Sequence, residues 1–300
     1  MDEKVEKKAN PRADLGLIFI AAIWGVSFTV VKWSLLDSEP LANVCFRMAI
    51  CALVLGILAR RKGKAHFKTI KNGVILGILL AANFAFLTVG LKTTSASNTA
   101  FLASTFVIFV PFLSFLLYKE KITAKSWFAS FVSLIGLWFI SGGVSGISKG
   151  DIFILIAAVA GSCHIILVSK MSGEDIFEPF GLSFYQYAVA TILIFLLILA
   201  NGYRFHLGGM NNIIFLAVIA VIGNAFTIVG QLFAQKYMIA TKAALIFALE
   251  PVFAALFAWS FGGEMMGLTA VFGGGLIVLG MVIHSINIPQ KIKAGHERKD

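Results

Sequence analysis

The stretch ALIFALEPVFAALFAW, residues 244–259, carries one acid, Glu250, and one proline, Pro251, in an otherwise apolar run. In water such a run is a buried core helix; in a bilayer it is a span, and Glu250 means something different in each. Composition decides between the two solvents. The chain has 300 residues, 59% of them hydrophobic and 13% charged, whereas soluble domains average about 25% charged residues. Its apolar residues come in runs of about twenty, the length that crosses a ~30 Å hydrocarbon core as a helix. The sequence reads as an all-α integral membrane protein.

Runs and breakers predict ten transmembrane helices, at 15–36, 40–59, 70–91, 97–118, 124–141, 151–170, 179–200, 212–235, 241–261 and 267–287. The connections are too short for a soluble domain, and the first run is too long for a signal-peptide core, so it reads as a retained span. Lys and Arg set the direction. With the N-terminus in the cytoplasm, twenty of the 25 basic residues fall in inside segments, and only Lys92, Lys149 and Arg204 fall outside. Lys32 and Arg47 lie within spans. The positive-inside rule thus puts both terminal tails, 1–12 and 289–300, on the cytoplasmic face of the cell membrane. The net charge of +10 reports orientation, and nucleic acid is not an expected partner. Cys45, Cys51 and Cys163 sit in apolar runs without a paired spacing and read as small hydrophobes.

Sliding the sequence by 144 residues lays the third to fifth spans over the eighth to tenth without gaps. Identities include Ile75/Ile219, Ala81/Ala225, Lys92/Lys236, Phe109/Phe253, Glu120/Glu264 and Gly136/Gly280. The Lys, Glu and Gly matches raise this above apolar coincidence. At another offset, AAIWG (21–25) lies over AAVAG (157–161). Two halves of five helices each must enter the membrane from opposite sides, which predicts an inverted repeat. Such repeats suit transporters, because two similar halves can rock around a midplane site.

These residues carry a family resemblance. AAIWGVSFTVVK (21–32), FRMAI (46–50), GLKTTSASNTAFLAS (90–104) with Pro111 and YKE (118–120), and TKAALIFALEPVFAALFAW (241–259) resemble the EamA-domain transporters of the drug/metabolite transporter superfamily. The resemblance spans about 13–288, with 13–142 and 150–288 as the two five-helix copies. It implies a ten-helix carrier with a central cavity, a secondary transporter of small metabolites such as amino acids, commonly an exporter, with an exchanger as the other mode. The copies depart from each other where Trp24 meets Ala160 and Arg47 meets Gln186.

Polar groups in hydrocarbon are costly and usually face the bundle interior or a wet cavity. Asn83, Asn98, Thr105, His164 and Asn224 are the candidates for a substrate-binding midplane cavity, with Trp24 packing at its edge. For each, the alternative is an interhelical hydrogen bond worth about 0.6 kcal/mol. Arg47 has three readings: snorkelling outward, pairing with Asp37, Glu39 or Glu264, or meeting an anionic substrate group. Lys32 reads as snorkelling. The glycines at 273–275, Gly280, and the Gly73/Gly77 pair read as close-packing surfaces. Walker, HExxH and G-x-S-x-G patterns are absent, so no enzyme activity, cofactor or metal is expected. A passive channel and a membrane enzyme or lipid-handling protein are the alternative classes.

Glu250 is the only one of fifteen acids near the middle of a span. An ionised form is costly there without a partner. Pro251 removes a backbone donor and bends the helix, freeing a carbonyl one turn earlier. Glu250 thus has two readings. It is a protonated acid bonded to a neighbouring helix or the opened backbone, or it takes part in transport, by titrating with protons as the coupling ion or by meeting a substrate amine.

Overall fold

A computed structural model describes residues 10–61, 67–94, 96–140, 148–172, 178–261 and 267–285. Most of both predicted tails, and Glu264, lie outside the described residues. All regular structure among the described residues is helical. Helix α1 is Pro11–Ser34, α2 Pro40–Arg60, α3 Phe67–Thr93, α4 Ala96–Ala103, α5 Phe106–Tyr118, α6 Ala124–Ile140, α7 Lys149–Met171 and α8 Pro179–Ala200. Then come α9 (Met210–Val218), a π-helical segment (Ile219–Phe226), α10 (Thr227–Gln235), α11 (Ala240–Phe247), α12 (Glu250–Phe261) and α13 (Leu268–Ser285). Eight helical tracts are long and apolar enough to cross a membrane, and α6 and α13 are shorter apolar helices.

Local chemistry fixes the helix starts. Pro40 and Pro179 open α2 and α8 at the first helical turn, where a missing N–H costs nothing. Asn10 caps α1 by accepting from the Arg12 amide at 3.1 Å, so α1 starts at Pro11, four residues before the predicted run. A capping box opens α7: Ser148 Oγ accepts from the Asp151 amide at 3.1 Å and Asp151 Oδ2 accepts from the Ser148 amide at 2.8 Å.

Two spans expected to be continuous are broken. The predicted 97–118 run divides into α4 and α5 at Ser104–Thr105, and 241–261 divides into α11 and α12 at Ala248–Leu249. Pro251 accounts for the second break, since it cannot donate to a carbonyl one turn back. No proline sits at the first. There the Thr105 hydroxyl donates to the Leu102 carbonyl at 2.5 Å, and the turn tightens, with the Thr105 and Val107 amides reaching back three residues. Despite different causes, both breaks fall 144 residues apart, and α6 and α13 also start 144 apart.

The helices pack through small residues. The most extensive contacts are α6 with α13, α3 with α7 and with α8, and α2 with α8. A Cβ on Gly136 would lie 2.5 Å from the Gly273 carbonyl oxygen, and one on Gly273 would lie 2.5 Å from that of Gly136. Gly77 stands in the same relation to α8, where a Cβ would meet Val189 at 2.7 Å and the Gln186 carbonyl oxygen at 2.8 Å. Close-packing glycines are therefore real on α3, α6 and α13. Gly275 is an exception, with nothing within 4 Å of its added Cβ. Large apolar side chains such as Phe19, Phe131, Leu196 and Phe272 are exposed, as lipid-facing positions require.

Candidate functional site

Between the two halves lies a cavity of about 130 Å3. That suits a small solute, since drug-sized ligands need roughly 300–1,000 Å3. Five of the seven predicted site residues line it: Trp24, Asn83, His164, Asn224 and Glu250. The half-helix starts at Phe106 and Glu250, equivalent positions at the 144-residue offset, both face it. Discontinuous helices supply backbone ends to midplane sites in this way.

Trp24, Asn83 and His164 are each held by a neighbour. The Trp24 indole N–H donates to the Gly223 carbonyl at 3.0 Å and to Thr227 Oγ1 at 2.9 Å, and its ring packs 5.0 Å from that of Phe247. Asn83 Nδ2 donates to the Ala157 carbonyl at 2.8 Å, joining α3 to α7. His164 Nε2 lies 2.9 Å from Gln186 Oε1, joining α7 to α8. The π-helical segment lines the cavity through Gly223 and Asn224. A π turn displaces backbone acceptors from their usual partners. Side chains meet three of them here: Thr227 Oγ1 donates to the Gly223 and Asn224 carbonyls, and Cys51 Sγ lies 3.1 Å from the Ala220 carbonyl.

Arg47 is the lining residue of greatest consequence outside the predicted set. It is 2% exposed, which rules out snorkelling, and its acceptors are neutral. Nε donates to Asn43 Oδ1 at 2.9 Å, one terminal nitrogen to Asn224 Oδ1 at 3.3 Å and the other to Thr88 Oγ1 at 3.4 Å. The guanidinium carbon also stands 5.8 Å from the Phe84 ring centroid. No carboxylate pairs with it among the described residues. Glu250, 4% exposed, lines the same cavity, and its carboxylate makes no hydrogen bond or ion pair among the described residues. Two residues of opposite formal charge thus share one small space without touching an ionic partner. Of the three sequence readings of Arg47, its burial and the lack of a carboxylate partner among the described residues leave the one in which it meets an anionic solute group. Ser27, Thr88 and Gln231 also line the cavity.

Asn98 and Thr105 are directed elsewhere. Asn98 Nδ2 donates to Asp151 Oδ1 at 2.7 Å and to Thr94 Oγ1 at 2.9 Å, tying α4 to the start of α7. The Thr105 hydroxyl is spent on the backbone of its own helix break. Asn98 is drawn to the Asp151 carboxylate at the start of α7, and Thr105 is taken up by the break itself, which a continuous helical wheel misses. Lys32 is also re-read: its Nζ donates to the carbonyls of Leu91 at 2.5 Å and Thr94 at 2.7 Å, capping the end of α3.

The EamA-like transporter family matches residues 11–142 and again 148–286. An uncharacterized transporter of Archaeoglobus fulgidus is 32% identical over 276 residues, covering 92% of this chain and 86% of that protein. The uncharacterized transporter YdfC of Bacillus subtilis is 26% identical over 269 residues, covering 86% of each. In fold, the chain is similar to a crystal structure at TM-score 0.72 and 13% identity, covering 92% of this chain and 97% of that one. With two copies of the family pattern across nearly its whole length and a buried cavity where they meet, the chain belongs to the EamA-like transporter family and is a multi-pass membrane transporter.

Proposed function

We propose that the protein is a secondary transporter that moves small metabolites across the cell membrane by alternating access, as an exporter or exchanger. It does so as ten spans in two inverted five-helix repeats, 13–142 and 150–288, with both termini cytoplasmic. The observation that carries this reading is the composition of the cavity wall. Positions 144 residues apart face the same space as pairs: Leu80 with Asn224, Leu87 with Gln231, and Phe106 with Glu250. A site bounded by equivalent positions of two halves can be exposed to either side as one half rocks against the other.

The chemistry of the wall suits a small solute carrying both an anionic and an amine group, amino acids among them. Arg47 meets the anion and Glu250 the amine, while Trp24, Phe106 and Phe247 cover the apolar part. Asn83, His164 and Asn224 supply hydrogen bonds, and Glu250 couples transport to protons. Counterflow in proteoliposomes tests the carrier class. Unlabelled solute trapped inside should accelerate uptake of the labelled solute. Absence of trans-stimulation across a panel of amphoteric metabolites would leave a passive facilitator. Orientation is tested by cysteines introduced at 144–149 and 62–66: an impermeant reagent outside intact cells should label only the first segment.

A further inference from the structure

A second cavity, about 290 Å3, opens on the lipid-facing side where α3, α5 and α7 meet. Its wall is apolar, with Ile75 and Ile78 from α3, Leu117 and Tyr118 from α5, and Cys163 and Ile166 from α7. Ile75, Ile78, Leu117 and Tyr118 are exposed at the surface of the chain, so the groove is continuous with the bilayer. A groove of that size and polarity fits one stretch of hydrocarbon chain.

The groove has a charged end. Lys71, Ile75 and Ile78 follow one face of α3, and Cys163, Ile166 and Lys170 follow one face of α7. Helices α3 and α7 run antiparallel, since Gly90 near the end of α3 packs on Ile154 near the start of α7 while Asn83 meets Gly161. Both stripes therefore reach their lysine at the same end of the groove, the end that Tyr118 closes. There the Lys170 ammonium lies 3.9 Å from the Tyr118 ring centroid and 2.9 Å from Glu120 Oε1. Basic side chains between helices at the headgroup level recognise anionic lipids, and an aromatic ring at that level marks the interface.

We infer that this groove is a binding site for one anionic phospholipid, with an acyl chain along Ile75, Ile78 and Ile166 and the phosphate held by Lys71 and Lys170. Glu120 occupies Lys170 when the lipid is absent and competes with the phosphate for it. This inference requires only that the helices span a bilayer, and it stands apart from the transport reading.

The test uses purified, delipidated protein titrated with mixed micelles of phosphatidylglycerol or phosphatidylcholine bearing identical chains, with retained lipid counted by native mass spectrometry. Phosphatidylglycerol should be retained several-fold better than phosphatidylcholine. Lys170→Gln should lower that retention, and Glu120→Gln should raise it by releasing Lys170. A purely structural ion pair would make both substitutions act in the same direction, which overturns the proposal. Ile78→Trp, at a lipid-exposed position, should fill the groove and reduce retention of both lipids. Equal retention of the two lipids, or retention indifferent to Ile78→Trp, also overturns it.

Discussion

The two halves of the molecule share a backbone plan and divide the chemistry. At four pairs of equivalent cavity positions the first half presents Phe28, Leu80, Leu87 and Phe106 and the second presents His164, Asn224, Gln231 and Glu250, while Phe84/Ile228 and Ala103/Phe247 are apolar on both sides. Each of the four pairs sets an apolar residue against a polar one. Ser27, Arg47, Asn83 and Thr88 are the first half's own polar contributions, and Arg47 is tied to the second half through Asn224. Where the halves must fit each other the pattern reverses: Gly136 and Gly280 are identical, because a Cβ at either would press into the opposing helix. Packing tolerates little variation, so repetition is kept at the seam. A cavity that holds one unsymmetrical solute gains nothing from repeating the same side chain on both walls.

The comparison breaks or sharpens at five substitutions. The largest effect is expected at Glu250, where the halves differ most. Glu250→Gln keeps shape and polarity while removing titration, so folding should persist and transport should lose most of its pH response. The His164 imidazole lines the same cavity, hence His164→Gln is the companion variant. A pH response kept by the first variant and lost in the second would move proton coupling from α12 to α7.

Arg47→Gln, which installs the residue found at the equivalent position 186, comes next. Apparent affinity for an anion-bearing substrate should fall on the order of 10²-fold, about 3 kcal/mol, the cost of losing one side of a buried charge pair. Unchanged affinity in equilibrium binding would reduce the guanidinium to a brace between α2 and the π-helical segment.

The smallest effect is expected for Asn224→Leu, which makes the second half resemble the first at Leu80. One hydrogen bond to Arg47 is lost, so KM should rise roughly fivefold, about 1 kcal/mol. Leu80→Asn is the mirror variant. If it changes KM for the same substrates as strongly as Asn224→Leu does, the two walls are chemically equivalent after all.

Much of the candidate site was legible because few polar residues sit in long apolar runs. Trp24, Asn83, His164, Asn224 and Glu250 stand out on that ground alone, and all five line the cavity. Asn98 and Thr105 stand out equally and do not line it. Depth in a run says that a polar group needs a partner, and it does not say whether that partner is solute, side chain or backbone. Asn98 finds Asp151, which caps the neighbouring helix, and Thr105 finds its own carbonyls. The break at Thr105 was hidden for the same reason, since only its counterpart carries a proline nearby to announce it.

By itself the sequence determined the solvent, the helical class, the register of the repeat and the family. Those follow from run length, charge placement and residue identity, which are properties of the chain read locally or against itself. Tertiary structure alone decided that Arg47 is buried among neutral acceptors, that Lys32 caps α3, and that residues 219–226 take a π-helical path. In hydrocarbon the backbone polar groups must be satisfied from within the protein, and which side chain meets which group depends on helices brought together from distant parts of the chain.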